Sequence, residues 1–512
     1  MPPTDQADPR SPGTSLPRVS SPSQIGWHLA PGLANRLAPR SGRTPSGKTA
    51  GTLGRGKSAG TLGWGGLGRR VAGWLPLVLA LAGAAFAQPS CPPLPPPAGA
   101  TIEVHPQQAN QLRAIVAAAS AGTTILLHDG LYAMNQGDYL SRLELTTPNV
   151  TLRSLSGNRD AVVLDGAYQT HELLAIHASG VTIADLTLER AYDHPVHVTG
   201  TTGEIITGVR LHNLRIVDPG EQAVKVHAAS TNGYVDYGIL ECSVIELTAA
   251  GRAQVRNDCY TGGFDAHGAR GWIIRRNRFS GFWCESGLSE HAVHLWRSSR
   301  DSLVEENVIL DCTRGIGFGL GASFSGDRVY PDNPYPGVGY LGHIDGVIRN
   351  NFVAAADPAL FASEYGFDAG IALEQARGAK VVHNSVAATA APFSAIEWRF
   401  GNTLADIQNN LVTHNLRPRD GNPQATVAGN LEWAPTNWFE NVAAGDLHLS
   451  PGAGEPLGAG VPLPAGLADT DFDGDPRGTP PDVGADELTV PLLADGFETG
   501  NLSRWSGWYG AS

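Results

Sequence analysis

The 512-residue sequence contains little charge, and basic residues are the scarcer kind. Charged residues make up 17% of the chain, with 36 Lys and Arg against 49 Asp and Glu, and the formal net charge is −13. A chain without a basic field does not attract phosphate backbones, so nucleic acid is not expected as a partner. An acidic polysaccharide would have to bind at a local cluster of positively charged side chains. Glycine (63 residues) and proline (36 residues) are abundant instead, which suits many tight turns.

Long apolar runs are missing from the chain after residue 87, so no membrane-spanning segment is predicted there. The one long apolar run follows Arg69-Arg70 and ends in an Ala-x-Ala site, as in a secretory signal peptide. We interpret 69–87 as that signal, with a membrane anchor as the alternative. Residues 1–68 are rich in Ser, Pro, Gly and Arg and are predicted to be disordered or untranslated. The mature protein is expected to be secreted or periplasmic, monomeric and free of the membrane.

Cysteine is scarce, with five residues in the whole chain. In an exported protein, five cysteines predict two disulfide bonds and one unpaired thiol. We expect Cys259 to pair with Cys284, and Cys242 to pair with Cys312. Cys91 would then stay unpaired in the proline-rich spacer.

Three short segments in the middle of the chain can be laid over one another: AVKVH (223–227), GFDAH (263–267) and AVHLW (292–296). Each alternates apolar with polar residues, the period of a strand with one buried face. Stacking the segments predicts inward columns of apolar side chains and two outward polar columns. The outward columns consist of Lys225, Asp265 and His294, and of His227, His267 and Trp296.

The same register extends in both directions along the chain. PVHVT (195–199) adds His197, which we interpret as a spectator at the margin. GIALE (370–374) adds Glu374, and AIEWR (395–399) adds further charged residues. One sheet face is therefore predicted to concentrate ionisable side chains over a few coils, because four histidines are unusual on a solvated β-face.

A second repeat, at intervals of roughly thirty residues, marks a turn in each coil. Asparagine adopts left-handed backbone conformations at low cost, and its amide can bond to the same side chain one coil away. We therefore expect an asparagine ladder, and a solenoid over 123–450 in which insertions at 251–262 and 321–342 flank the polar columns and form a groove. The repeated positions are Asp185, Asn213, Ser243, Asn277, Asn307, Asn351, Asn384 and Asn410.

The ends of the solenoid have their own patterns. A proline-rich spacer (88–100) precedes a predicted N-terminal cap (101–122), whose helix places Leu112, Ile115, Val116 and Ala119 on one face. An irregular C-terminal segment (451–490) and a tail (491–512) follow the solenoid. Asp469, Asp471 and Asp473 match the opening of a calcium loop, but its twelfth position is Pro480 instead of a bidentate Glu. No cofactor is required by the sequence, and calcium at this turn is an alternative to a plain acidic turn.

The repeat resembles the right-handed parallel β-helix of the pectate-lyase-like superfamily over most of the chain. The resemblance implies an all-β fold, a single-stranded right-handed parallel β-helix with an N-terminal capping helix. GFDAHGARGWIIRRNRF (263–279) also resembles the F-D-P-H segment of alginate epimerases, which maps Asp265 and His267 onto a functional Asp and His. Ala266 replaces the proline of that motif, and Gly262 replaces its tyrosine. Lyases on this fold pair a Lys with an Arg on neighbouring coils, and Lys225 alone has an obvious counterpart.

The polar columns suit removal of the proton on carbon 5 of a uronic acid, which requires a cation at the carboxylate, a base and an acid. Lys225 beside Asp265 should stay protonated and act as the cation, and histidine should move the proton. No H-x-H or H-E-x-x-H spacing indicates a metal site among the histidines. We assign Lys225, Asp265, His267 and His294 as catalytic, and His227, Tyr260, Trp296, Glu374, Glu397 and Arg399 as substrate-binding.

The sequence leaves several functions open. A lyase that cleaves an acidic polysaccharide by β-elimination is the first, and a uronate epimerase on the same fold is the second. A glycoside hydrolase would use carboxylates from Asp265, Glu374 and Glu397, although the paired aspartates, G-H-G and R-I-K of pectin-type hydrolases are absent from the sequence. A non-catalytic carbohydrate binder or surface adhesin would only dock sugar on the same columns.

Overall fold

A computed structural model describes residues 91–228 and 232–488. The predicted signal peptide (69–87), the segment before it and the tail (491–512) lie outside the described residues. Among the described residues, no helix combines the length and apolar character needed to cross a membrane.

Parallel strands form three long sheets, because most coils contribute one short strand to each sheet and the next coil repeats the pattern. The fold is therefore a right-handed parallel β-helix, as the resemblance implied. Sheet 1, which carries the polar columns, consists of Leu143–Leu145, Glu172–Ile176, His194–Thr199, Gln222–His227, Gly262–His267, His291–Trp296, Arg314–Gly319, Ala369–Glu374, Ser394–Arg399 and Leu416–Arg419.

The other two sheets close the coil around one apolar core. Sheet 2 consists of Gly130–Ala133, Val162–Asp165, Thr187–Glu189, Arg215–Val217, Val244–Glu246, Arg278–Ser280, Val308–Leu310, Phe352–Ala355, Ser385–Ala388 and Leu411–Val412. Sheet 3 consists of Thr101–Val104, Thr124–Leu127, Thr151–Ser154, Thr182–Ala184, Arg210–His212, Ile239–Glu241, Ile273–Arg275, Ser299–Arg300, Leu303–Glu305, His343–Ile344, Val347–Arg349, Ala376–Val382, Leu404–Gln408 and Gln424–Ala428. A short parallel pair, Ile206–Thr207 and Val235–Asp236, lies outside these sheets.

The predicted register of sheet 1 is confirmed. Lys225 pairs with Asp265, and Asp265 pairs with His294. His267 pairs with Trp296 in the neighbouring column. The apolar residues between them, such as Phe264, are fully buried in the core. Strict alternation of apolar and polar residues therefore predicted the stacking of coils that lie tens of residues apart in sequence.

The asparagine ladder is confirmed from Asn277 onward, but its geometry differs from the prediction. The Asn277 amide donates to Asn307 Oδ1 at 3.0 Å, and equivalent bonds continue through Asn410 to Asn430. The left-handed residue is the one before each ladder residue, for example Arg276 (φ 55°). Asp185 and Asn213 occupy that preceding position, so the prediction placed both one residue out of register.

Short helices lie at the edges of the solenoid. The helix Ala109–Ala118 follows the 3₁₀ turn Pro106–Gln108 and buries Leu112 and Val116 against the core at the N-terminal end, as a cap does. The remaining helical segments are Asp138–Ser141, Ala249–Arg252, Pro358–Ala362, Thr436–Trp438 and Val442–Ala444.

Gln424–Ala428 is the last parallel strand of the described residues, a single parallel bridge joins Leu431 to Leu411, and the chain then folds back onto sheet 2. The antiparallel pair Phe439–Asn441 and Asp446–Leu449 and the segment after it form a second apolar cluster with the outer face of sheet 2. Phe472, for example, stacks on Phe352 with ring centroids 4.0 Å apart. The irregular C-terminal segment thus covers one side of the solenoid.

One of the two predicted disulfides is confirmed and the other is wrong. Cys259 pairs with Cys284. Cys242 pairs with Cys91 instead of Cys312, because the proline-rich spacer runs back over the turns of the solenoid, where Arg153 also binds the carbonyl of Pro95. Cys312 is unpaired, and its side chain belongs to the buried apolar core. Two disulfides fit an extracellular protein.

Candidate functional site

The polar columns lie on the outer face of sheet 1 between the two predicted insertions. The first insertion carries Tyr260, next to the disulfide-bonded Cys259. The second brings Phe324 against Trp296, with ring centroids 5.3 Å apart. It is held by ion pairs such as that of Arg328 with Asp236, 2.6 Å apart. Both insertions therefore flank the columns, as the spacing of the repeats predicted.

Lys225 lies at the centre of a hydrogen-bonded group. Its Nζ is 3.0 Å from Tyr260 Oη and 3.0 Å from His267 Nε2. The third partner of the ammonium is Asp265 Oδ2, and the other oxygen of Asp265 accepts from the indole nitrogen of Trp296 at 2.6 Å. We call Lys225, Tyr260, Asp265 and His267 the lysine cluster. The structure thus brings together three of the four residues predicted as catalytic and two predicted as substrate-binding.

Lys225 and Asp265 are both held in their charged forms. Lys225 is 7% exposed and Asp265 is 1% exposed, and burial by itself would lower the pKa of the lysine and raise that of the carboxyl. The opposite charges overcome this effect, so the pKa of Lys225 is raised and the pKa of Asp265 is lowered well below its usual range. All three ammonium protons have acceptors. Lys225 is therefore an internal cation and not a base, as the sequence indicated.

His267 and Tyr260 are the half-buried members of the lysine cluster, and both stay neutral near pH 7. Burial and the charge of Lys225 lower the pKa of His267 to about 4. Burial also raises the pKa of Tyr260, so it remains a phenol. Since a neutral imidazole that accepts at Nε2 carries its proton on Nδ1, His267 has an N–H and Tyr260 has an O–H.

Three hydrogen-bonded side chains, Glu172, His197 and His227, lead from the preceding coils to the lysine cluster. The carboxylate of Glu172 accepts from His197 Nδ1, and His197 Nε2 is 2.8 Å from His227 Nδ1. Burial would raise the pKa of Glu172, but the hydrogen bond from His197 and the charge of Arg142 lower it to about 2. Burial lowers the pKa of His227 to about 2, so this imidazole is neutral; when its Nδ1–H donates to His197 Nε2, its Nε2 carries a lone pair. The imidazoles of His227 and His267 are neighbours, with centroids 6.4 Å apart.

Glu172 and the role of His197 were missed by the sequence analysis. Glu172 occupies a register position that strict alternation assigns to the inward face, where it pairs with His194. The alternation breaks at the start of these strands: Ala223 belongs to the buried core, whereas Glu172 contacts the outward His197. Glu172 is the polar residue that opens the otherwise apolar strand ELLAI, which is the signal that could have drawn attention to it.

His294 is deeply buried and does not reach the groove. Its Nε2 donates to the carbonyl of Gly319 at 2.9 Å, and its Nδ1 faces Glu290 Oε2 at 3.0 Å. With 1% of the residue exposed and both nitrogens engaged, His294 cannot exchange a proton with a substrate in the groove. The predicted proton-transfer role of His294 therefore has no support in this arrangement. Its ring stacks on Trp296, 5.3 Å away, and so helps to position the indole that binds Asp265.

Three predicted substrate-binding residues, Glu374, Glu397 and Arg399, lie outside the lysine cluster and are engaged in ion pairs. The strand Arg314–Gly319 places glycines in both outward columns between the lysine cluster and Glu374. Arg399 Nη1 donates to Glu374 at 2.8 Å, and its other nitrogens bind Asp420. Glu397 accepts from Arg419 at 2.7 Å on both oxygens. We call Glu374, Glu397, Arg399, Arg419 and Asp420 the arginine cluster.

The acidic turn near the C-terminus is organised around Asp471. Its Oδ1 accepts the backbone N–H groups of Asp473 and Asp475, and its Oδ2 accepts that of Glu487. Asp469 Oδ1 accepts the backbone N–H of Gly466, and Asp473 Oδ2 is 2.8 Å from His448 Nε2. These bonds account for the turn by themselves, and a calcium ion at Asp469, Asp471 and Asp473 stays a prediction.

Comparison with solved structures finds β-helix proteins at low sequence identity. One is the pectate lyase Pel9A, with 14% identity, a TM-score of 0.45, and coverage of 76% of this chain and 97% of that one. Another is an alginate lyase from Paenibacillus sp. str. FPU-7, with 15% identity, a TM-score of 0.43, and coverage of 64% and 99%. A rhamnogalacturonan lyase has 10% identity, a TM-score of 0.42, and coverage of 69% and 97%. No family profile matches the chain, and no curated protein sequence matches it. These likenesses concern the fold alone.

Proposed function

We propose that this protein is an exported enzyme that cleaves a uronic-acid-containing polysaccharide by β-elimination in the groove of sheet 1. The observation that carries the proposal is the lysine cluster beside His227. A buried ammonium is 3.0 Å from both a phenol and a neutral imidazole, and a second imidazole, that of His227, lies on the same strand as the ammonium. A salt bridge alone would not place half-buried tyrosine and histidine around the ammonium.

Each group has a role in the proposed reaction. The N–H of His267, polarised by the ammonium of Lys225, binds the uronate carboxylate and stabilises the negative charge that develops there. His227 Nε2 removes the proton from carbon 5. The electron pair of that C–H bond forms the double bond between carbons 4 and 5 as the C4–O bond breaks. Tyr260 then donates its hydroxyl proton to the departing glycosidic oxygen, and solvent returns the phenol and imidazole to their starting forms.

The buried carboxylates argue against the hydrolase alternative. Such an enzyme needs one carboxyl group as acid and another as base or nucleophile, both open to the sugar. Asp265, Glu374 and Glu397 are 1%, 6% and 1% exposed, and all three bind cationic side chains. These acids maintain the ion pairs of the solenoid, so an elimination that uses neutral histidine and tyrosine fits the face better.

A chromophore assay tests the proposal directly. Mature protein is incubated separately with alginate, pectate, chondroitin and heparin, and the ultraviolet absorbance of the unsaturated uronate end is followed. We expect absorbance to rise with at least one of these polymers. His227→Gln and Tyr260→Phe should each lower the rate by about 10²–10⁴-fold, because each removes a proton-transfer group.

Tyr237→Phe is the matched control, since Tyr237 is exposed and lies outside the lysine cluster. Its rate should equal that of the natural protein, and circular dichroism should show all three variants folded. A changed uronate composition by NMR without the chromophore would replace the lyase with an epimerase. Binding of the polymers without either change would overturn catalysis in favour of a carbohydrate-binding protein.

A further inference from the structure

We propose that Glu290, His291 and His294 bind one divalent transition-metal ion of the zinc type. Ligand atoms from these three residues lie within 4.8 Å of one another. His291 and His294 belong to one strand of sheet 1, and Glu290 directly precedes it. Two imidazoles and one carboxylate form a ligand set that zinc accepts, with a further position left for water. This site is separate from the proton-transfer groups of the proposed elimination.

The hydrogen bond of His294 fixes the tautomer that a metal requires. A carbonyl oxygen only accepts, so the bond to Gly319 O requires a proton on His294 Nε2. With that single proton on Nε2, a lone pair on Nδ1 points toward Glu290 Oε2, 3.0 Å away. Two lone pairs facing each other repel unless a proton or a cation lies between them. Metal-binding histidines commonly donate their other N–H to a carbonyl in this way.

His291 supplies an independent indication. It is 1% exposed, and neither of its ring nitrogens has a hydrogen-bond partner within the described part of the chain. Burying an imidazole without a hydrogen-bond partner costs free energy, and this indicates that a ligand binds there. The ring lies over Gly317, where a Cβ atom would come within 2.7 Å of it. Glycine at this position therefore leaves the space that the ring of His291 occupies beside His294.

The surrounding charge restricts the kind of ion. Arg314 Nη2 is 3.9 Å from Glu290 Oε2, although its Nε also donates to the carbonyl of Ser289 at 2.9 Å. With a single carboxylate and a nearby guanidinium, the site offers little to calcium or magnesium, which require several oxygen ligands. Imidazole nitrogens select zinc, cobalt or nickel through stronger metal–nitrogen bonds.

Titration with Co²⁺ tests the site without any need for activity. Mature protein is stripped with a chelator, dialysed and titrated while the visible d–d absorption of bound cobalt is recorded, and Zn²⁺ is then added as competitor. We expect one Co²⁺ per chain, displaced by Zn²⁺. His291→Gln should raise the Kd by about 100-fold or more, because a ligand is lost. Zn²⁺ should also raise the melting temperature of the natural protein but not that of the variant.

Two control variants locate the ion. His171→Gln removes an exposed histidine outside the cluster, and His448→Gln removes a histidine beside Asp473 and Asp486, another group with metal-ligand geometry. Both should keep the cobalt spectrum and its affinity. Retention of the spectrum in His291→Gln, or its loss in His448→Gln, would overturn the assignment. No cobalt binding by the natural protein would also overturn it, and a shared proton would then link His294 and Glu290. If His291→Gln does not fold, Glu290→Gln replaces it in the same titration.

Discussion

The lysine cluster and the arginine cluster occupy the same outer face and the same columns of sheet 1, but they bond differently. In the arginine cluster, carboxylates meet guanidinium groups; Arg419, for example, spans both oxygens of Glu397. In the lysine cluster a single ammonium is shared among a carboxylate, a phenol and an imidazole. The ammonium is therefore bonded to two neutral groups, Tyr260 and His267, as well as to a carboxylate.

This difference shows that titratable residues in one column do not by themselves indicate a catalytic site. A buried pair of full charges satisfies itself and tends to be structural. Neutral groups that adjoin such a pair are the ones that can offer an N–H, an O–H or a lone pair to a substrate, because they are not held in one form by an opposite charge. Glycines of the strand Arg314–Gly319 separate the two clusters on the face.

The largest expected effect contrasts one residue of each cluster in the polysaccharide assay. His267→Gln should lower the elimination rate by about 10²–10⁴-fold, since the amide of glutamine reaches the position of Nε2 and leaves no N–H at the position of Nδ1 for the substrate carboxylate. Arg399→Lys keeps a cation beside Glu374 and should change the rate by no more than about twofold. Initial rates at saturating polymer give the comparison. A larger loss in Arg399→Lys than in His267→Gln would move the site to the arginine cluster.

The lysine cluster and the arginine cluster should contribute similarly to the free energy of unfolding. Lys225→Met leaves the buried carboxylate of Asp265 unpaired and should lower the free energy of unfolding by about 3–5 kcal/mol. Arg419→Met should cost a similar amount, because Glu397 is equally buried. Urea unfolding followed by circular dichroism measures both.

The double variant Lys225→Met with Asp265→Leu removes both charges and should recover most of the lost stability but none of the activity. If the double variant stays as unstable as the single one, the ion pair is not the cause of the loss. If it regains activity, Lys225 has no part in the reaction.

The smallest expected effect is a pH-dependent one at Glu172. The pKa of Glu172 is lowered from 4.5 to about 2, so its bond to His197 stabilises the fold above pH 4.5. That contribution is lost as the pH falls from 4.5 toward 2. Melting curves of the natural protein and Glu172→Gln should therefore differ most above pH 4.5 and converge toward pH 2. Glu440→Gln, at an exposed position, should show no such convergence. A constant difference across this range would show that Glu172 is not held ionised by His197.

Much of the fold and part of the site could be predicted from sequence, for identifiable reasons. The pairing of Lys225 with Asp265 followed from period-2 alternation, because a slip of one residue would turn Phe264 out of the core. The same alternation fails at the start of the strand Glu172–Ile176, so Glu172 was missed. The pairing of Cys242 was wrong because the path of the spacer depends on contacts across many coils.

By itself the sequence determined the parallel β-helix, the register of its coils and the face on which polar side chains collect. Those features depend on repeated local patterns, since each coil must bury the same apolar positions against its neighbours. Tertiary structure alone decided which polar side chains bond to one another. The predicted column gives the order in which residues neighbour one another. Whether His294 faces Glu290 or the groove depends on distances and burial that only the folded coils create.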